Sequence, residues 1–295
     1  MAVYQRSFQP YAGRTSRPAM RFLVPARYAL EDLFKSKLFT VFVTFCFVFP
    51  LICVFAIYLR HNADLLANLA AAGVEVEEWM PIDGSFFGVF MRVQGTLAFF
   101  LVLFSGPRLV SRDIANNGLA LYLCRPFSRG QYVLAKLTVL LGLCSLTTWI
   151  PGLALWALQG FLEGAGWAAA NVRSAVALFV GSWVWMLVLG LLALAISSWV
   201  KWRPVAGFCL LLVFFGGLFF ARVVEVLFQS RWGYLVDVHH SIRRVWAQLF
   251  DTPAPFFFDR SYDMPSWSPW VTLIGLTLFS LVLLHRRIRA YEVVR

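Results

Sequence analysis

SRDIANNGLALYLCRPFSRGQYVLAK, residues 111–136, separates two long apolar runs in the first half of the chain. It carries four cations (Arg112, Arg125, Arg129 and Lys136), one acid (Asp113), and a proline and a glycine four residues apart. The pair Arg125-Pro126 halts a helix, because a residue before proline disfavours the α conformation. Ser128 can then cap a new helix that runs through Tyr132 and Lys136 into the next apolar run. The stretch therefore reads in one of two ways. It is a helix, a fixed turn and a re-entering helix, or it is an ordinary basic loop that only sets topology.

The rest of the chain decides what solvent this elbow works in. Of 295 residues, 60% are hydrophobic, 17% aromatic and only 14% charged. A soluble domain carries about 25% charged residues, so this composition belongs in a bilayer. The net charge of +11 lies in short flanks between apolar runs, which is membrane topology rather than a nucleic-acid surface. The first apolar run follows 37 polar, basic residues and is about 22 residues long. That exceeds the about 7–15 residues of a secretory signal core, so a retained transmembrane helix is expected. Cys46, Cys53, Cys144 and Cys209 fall inside apolar runs and Cys124 in the elbow, with no metal-ligand spacing; reduced, structural thiols are expected.

Six stretches are long enough to cross about 30 Å of hydrocarbon at about 1.5 Å per residue. They cover residues 38–59, 86–107, 137–162, 174–200, 205–228 and 267–284. Pro50, Pro151 and Gly152 lie within spans, where a kink is tolerated if neighbouring helices satisfy the freed carbonyl. Eighteen of the 26 basic residues fall on one face: the N-terminal arm, residues 108–136, the 201–204 turn and the C-terminus. By the positive-inside rule that face is cytoplasmic, with both termini and the elbow on it. The expected location is a bacterial inner membrane.

Residues 1–21 read as a flexible arm and 22–37 as an in-plane amphipathic helix, with Ala26, Leu30, Leu33, Phe34 and Leu38 on one stripe. Of the outer loops, 60–85 is acidic and predicts a short helix over 64–72, 163–173 is short, and 229–266 is long. Val238, Ile242, Val245, Trp246 and Leu249 recur at helical spacing in the last, with Arg243 and Arg244 opposite. That predicts an amphipathic helix lying on or dipping into the outer interface. Trp267 and Trp270 are expected to anchor the final span at the headgroups.

The sequence contains no GxxxxGK[ST], HExxH or GxSxG, so neither a P-loop nor those catalytic signatures are present. No catalytic residue and no metal site are expected; His239 and His240 are adjacent and point about 100° apart on a helix. Arg92, about six residues inside the second span, either snorkels to the outer headgroups or pairs with an outer acid, or, with Gln94, lines a translocation path. Arg222 and Glu225 are spaced to pair with each other. No span carries the run of Asp, Glu or His expected of a proton-driven carrier.

The elbow resembles the first cytoplasmic connection of ABC-2-type transporter permeases. Their pattern runs from an acid through Leu-Tyr-Leu, then Ser/Cys-Arg-Pro-hydrophobic-Ser-Arg, then Tyr and Lys. Asp113, Leu121, Tyr122, Leu123, Arg125, Pro126, Ser128, Arg129, Tyr132 and Lys136 match it in order. The entry RYALEDLFKSKLF (27–39) and the ending RRIRAYEVVR (286–295) are similar to the branch holding the NosY, gliding-motility and sodium-export (NatB) permeases. Ala135 departs from the pattern, which commonly has glycine there.

The resemblance implies an all-α, six-helix, type V ABC exporter-like fold and a non-catalytic subunit. Two such permeases would pair, as identical or related chains, and each would dock a separate nucleotide-binding ABC ATPase that binds ATP and magnesium. The elbow would be the coupling helix, with Arg112, Asp113, Asn116, Asn117, Tyr122, Arg125 and Ser128 against that ATPase. The alternative is an ABC-like subunit that transmits force to a periplasmic protein through residues 229–266 and moves no solute. The partners expected besides these are membrane lipids, and no nucleic acid.

Overall fold

Hydrocarbon offers a backbone amide no water to bond, so an apolar chain must satisfy its peptide groups within helices. The computed structural model of the chain describes residues 20–62, 81–116, 128–252 and 265–287, except for the side chains of Arg112, Ile114, Ala115 and Arg231. All regular structure among these residues is helical. Residues 1–19 of the N-terminal arm, the proposed 64–72 helix and the last eight residues lie outside them.

A first helix, α1 (Leu23–Phe34), precedes the spans. Span one is α2 (Lys37–Phe45) and α3 (Val48–Arg60); span two is the single long helix α4 (Gly84–Ala115). Span three is α5 (Arg129–Thr147) and α6 (Trp149–Glu163), followed by the short α7 (Ala165–Ala170). Span four is α8 (Val172–Trp199) and span five α9 (Arg203–Phe228). A 3-10 turn (Arg231–Leu235) and α10 (Val238–Phe250) lead to span six, α11 (Ser268–Arg287). Six helical stretches are thus long and apolar enough to cross a membrane, and they coincide with the six expected from sequence. Spans two and four are 61% and 67% buried over their apolar windows, against 28% for spans one, five and six. The core is therefore α4 against α8, and the outer spans present their apolar sides outward.

Both broken spans place proline in the first turn of their second segment, where its missing N–H is least costly. Pro50 is the third residue of α3, and it leaves the carbonyl of Cys46, four residues earlier, without its helical donor. Gln94 of α4 supplies the donor, its Nε2 lying 3.0 Å from the Cys46 carbonyl oxygen. Pro151 is the third residue of α6, after the break at Thr148. At that break the Cys144 carbonyl accepts both the Thr148 backbone N–H, at 2.9 Å, and the Thr148 hydroxyl, at 2.7 Å.

The helix α1 packs against α5 and buries Ala26 and Leu33. Its expected stripe stops short, because the chain breaks at Ser36 and leaves Leu38 84% exposed.

The largest difference from the sequence reading is α10. Its apolar face, Val238, Ile242, Val245, Trp246 and Phe250, is buried against the chain's own spans and is not laid on an interface. Trp246 reaches between α4 and α8, where two glycines make room. A methyl group on Gly95 would stand 2.4 Å from the Trp246 ring, and one on Gly181 3.0 Å from it. The Trp246 indole donates to the Gly181 carbonyl (3.1 Å) and the Trp185 indole to that of Gly95 (2.9 Å). The two rings meet edge to face at 5.7 Å. Arg173 fastens the end of α10, donating to the carbonyls of Gln248 and Leu249 and pairing with Asp251 at 2.7 Å. Trp270, expected at the headgroups, donates its indole N–H to Gln248 Oε1 at 2.9 Å.

Gly95→Ala should force Trp246 from its notch and cost about 1–3 kcal/mol, the usual penalty of overpacking a core. Thermal unfolding of the purified protein in detergent should show the loss, and adding Trp246→Leu should recover part of it.

Candidate functional site

Long α4 carries its helix beyond the apolar stretch to Ala115, and its polar end forms one arm of the elbow. The second arm is α5. Ser128, in extended backbone (φ −76°, ψ 156°), starts it with a reciprocal cap. Its hydroxyl accepts from the Gln131 N–H at 3.2 Å, and the Gln131 side chain accepts from the Ser128 N–H at 3.0 Å. Two of the first-turn donors that a helix leaves unpaired are thereby satisfied.

What locks the arms together is a buried charge pair. Lys136 Nζ lies 2.8 Å from Asp113 Oδ2, with the lysine side chain 6% and the aspartate 18% exposed. Tyr132, one turn before Lys136 and fully buried, donates its hydroxyl to the same oxygen at 2.9 Å. The ammonium also stands 5.5 Å from the Tyr132 ring centre. Residues i and i+4 share a helix face, so Tyr132 and Lys136 grip one carboxylate from one side of α5. Asp113 is thus committed inside the chain. Of the other elbow residues, Asn116 is exposed at the end of α4 and Ser128 is spent on the cap. The Arg112 side chain, Asn117, Tyr122 and Arg125 lie outside the described residues.

The elbow is wired further into the bundle. The Ser111 N–H donates to Ser197 Oγ at 3.0 Å, and that hydroxyl donates to the Pro107 carbonyl at 3.3 Å. Ser197 of α8 therefore stands beside the ladder step of α4 that follows its internal proline, a placement that goes with a helix bend. Ser111 Oγ donates to the Val200 carbonyl at 2.7 Å, closing the end of α8. Arg287 of α11 reaches the same end, donating to the Ser198 carbonyl at 3.3 Å and lying 5.5 Å from the Trp199 ring centre. Spans two, three, four and six are joined at this level by polar contacts.

Arg92 and Gln94 are not brought together. Two residues apart on α4, they diverge by about 200°. Gln94 is fully buried toward the break in span one, and Arg92 is half-buried on the side facing α10. At the bundle end opposite the elbow, the expected pair forms: Arg222 lies 3.2 Å from Glu225, which also accepts from the Tyr234 hydroxyl at 2.6 Å. Burial, with help from that bond to Glu225, pushes the Tyr234 phenol up to about 12. Asp237 caps α10 by accepting from the His240 N–H at 3.1 Å, yet it is fully buried. Burial raises its carboxyl above the ordinary range, against the opposing pull of the His240 and His239 backbone N–H groups and of Arg243.

The grip of Tyr132 and Lys136 on Asp113, and the parts played by Ser197 and Arg287, emerge only from the structure. The i, i+4 spacing of Tyr132 and Lys136 is visible in the sequence, but it takes the fold to bring Asp113 opposite. A serine in an apolar helix announces no partner. No family model matches the chain, and no curated protein matches it.

Replacing Lys136 with Met would leave Asp113 buried and unpaired, at a cost of about 3–5 kcal/mol. The double replacement Asp113→Asn with Lys136→Met should recover most of that in a thermal or denaturant series. At Asp237 the folded carboxyl binds its proton more tightly than the unfolded one. Stability contributed there is present at low pH and falls as pH rises through the window between the ordinary and the raised value. Asp237→Asn keeps the cap and should flatten that fall in melting curves taken from about pH 4 upward.

Proposed function

We propose that the chain is the membrane-spanning subunit of an ATP-binding-cassette transporter of the ABC-2 type, working as an exporter. The reading is carried by one observation: a polar elbow between spans two and three whose arms are locked by Asp113, Tyr132 and Lys136. A lever must be stiff to transmit force, and it must be joined to what it moves. The buried ion pair provides stiffness, and the Ser111–Ser197 and Arg287–Ser198 contacts join the elbow's base to the core spans. A floppy basic loop would need neither.

In this function the sequence's lack of a P-loop has a reason, since ATP and magnesium belong to a separate nucleotide-binding subunit. That ATPase docks on the cytoplasmic face, against the outward side of the elbow near Asn116, Asn117, Tyr122 and Arg125. Asp113, Tyr132 and Lys136 act behind that surface as positioning residues. ATP-driven closure shifts the permease only if the docked surfaces differ in contact energy between its two states. A second permease chain completes the transporter. Spans one, five and six, with Phe55, Phe215, Phe219 and Leu278 exposed, supply the apolar faces for that chain and for lipid. The helix α1 lies in the cytoplasmic interface.

The function is tested by isolating the tagged chain from its own membrane. A cassette ATPase should co-purify, and Tyr122→Ala or Arg125→Asp should release it while insertion stays normal. Undiminished co-purification and ATPase-dependent transport in both variants would remove the proposal.

A further inference from the structure

The helix α4 is continuous over 32 residues, yet the features that soften a helix gather in one stretch of it. Sharp bends arise at proline, at adjoining glycine and serine, and where a side chain enters the hydrogen-bond ladder. Residues 105–111 hold all three. The Ser105 hydroxyl donates back to the Leu101 carbonyl at 2.7 Å, a bond that competes with the ladder and favours bending. Gly106 follows it directly, and Pro107 then takes away the donor that the Leu103 carbonyl would meet. One turn on, the Ser197 hydroxyl of span four accepts from the Ser111 N–H at 3.0 Å and donates to the Pro107 carbonyl at 3.3 Å. These are the two groups that a straight helix would join to each other.

On either side of this stretch α4 is held. Away from the elbow, Gly95 gives Trp246 its notch, and its carbonyl accepts from the Trp185 indole at 2.9 Å. Toward the elbow, Asp113 is fixed to Lys136 and Tyr132 of α5. The second arm is interrupted as well, since α5 ends at the break at Thr148. Sideways, the soft stretch is pinned to span four. A methyl on Gly106 would stand 2.9 Å from the Ala193 Cβ, so the bare glycine lets α4 lie directly on α8. Ser111 Oγ lies 3.1 Å from Ser197 Oγ and donates to the Val200 carbonyl at 2.7 Å. Two held segments thus meet at one weakened joint that is pinned from the side.

We propose that residues 105–111 are the joint on which the elbow turns, and that Ser197 of span four is its fulcrum, a positioning residue. A bend of about 20° there moves Asn116, nine residues beyond Pro107, by about 5 Å. The part of α4 beyond the joint stays in its seat. The Ser197 hydroxyl stands in for the ladder bond while the helix bends, so neither the N–H nor the carbonyl is stranded in the apolar interior. The inference rests on the ATPase-driven function for what pushes the elbow, and not for the joint itself.

Two measurements keep joint and driver apart. The full-length chain, with its five cysteines replaced by alanine, is spin-labelled in nanodiscs at Asn116 and Val282, both exposed. A control pair, Phe104 and Val282, reports from the core side of the joint. Double electron-electron resonance should give a broader distance distribution for the first pair than for the control. Ser105→Ala with Pro107→Ala repairs the ladder and should narrow the first pair to the control width. Ser197→Ala removes the fulcrum and should broaden it by about 5 Å, with the control unchanged. Equal widths in all three proteins, or the same change in the control, overturn the joint whatever the chain transports.

Transport with the co-purified cassette ATPase is the second measurement. Ser197→Ala should leave ATPase binding in place and lower transport per ATP hydrolysed about tenfold, the scale of one buried hydrogen bond lost. Ser111→Cys with Ser197→Cys, in the cysteine-free protein, should be uncoupled when reduced. Coupling should return when an oxidant bridges the pair, because the covalent pin replaces the fulcrum. Full coupling in Ser197→Ala, or none in the bridged pair, removes the part given to Ser197 and with it the proposal. Labels that behave as expected in a chain that binds no cassette ATPase confirm the joint and remove only its driver.

Discussion

A carbonyl that loses its helical donor inside hydrocarbon has no water to turn to, and this constraint shapes the bundle where spans one and two carry a proline. Pro50 frees the Cys46 carbonyl, and Gln94 of a neighbouring span supplies the donor. At the internal proline of α4, the Ser197 hydroxyl takes the Ser111 N–H and gives its own hydrogen to Pro107. An unmade bond of this kind costs about 1–3 kcal/mol in a protein interior. Each repair therefore also fixes which helix must stand beside the break. Gln94 holds span one against span two, and Ser197 holds span two against span four.

The same logic, applied to full charges, holds the two described arms of the elbow, α4 and α5, together. Lys136 and Asp113 have each given up most of their water, so their separation is opposed by the cost of leaving two buried charges alone. A buried ion pair is poor evidence of added stability, because apolar residues of equal volume often do as well. Its value here is geometric: one carboxylate oxygen receives both an ammonium and a phenol, which fixes the register of α4 against α5. The elbow's base then moves only with the core spans.

Much of this architecture is legible in the sequence, for physical reasons. Spans are set by lengths of apolar residues, and hydrocarbon enforces them without tertiary help, so the six helices fall where expected. The cap at Ser128 follows from the proline two residues before it, and Arg222 pairs with Glu225 because the spacing requires nothing from the rest of the fold. What sequence could not carry is mutual placement. Val238, Ile242, Val245 and Trp246 form a helical stripe whether they meet a lipid surface or a protein groove. Only the bare backbone at Gly95 and Gly181, 86 residues apart in the chain, turns that stripe inward. Gln94 and Arg92 looked like one site because they are neighbours in the sequence, yet the helix sends them to different walls. Asp113 looked like a surface contact because nothing local reveals that Tyr132 and Lys136 will stand opposite it.

The seating of α10 has a consequence for how the protein is made. Its notch is cut into spans two and four, while the key that fills it follows span five in the chain. During synthesis the ribosome delivers the lock long before the key, so a nascent chain holds two inserted helices with an unfilled slot between Gly95 and Gly181. With both termini cytoplasmic, as proposed, the bundle reaches its final packing only after a polar segment carrying Arg243 and Arg244 has crossed to the far side. Assembly is therefore completed by translocation, late, and from the side of the membrane away from the ribosome on the topology proposed here.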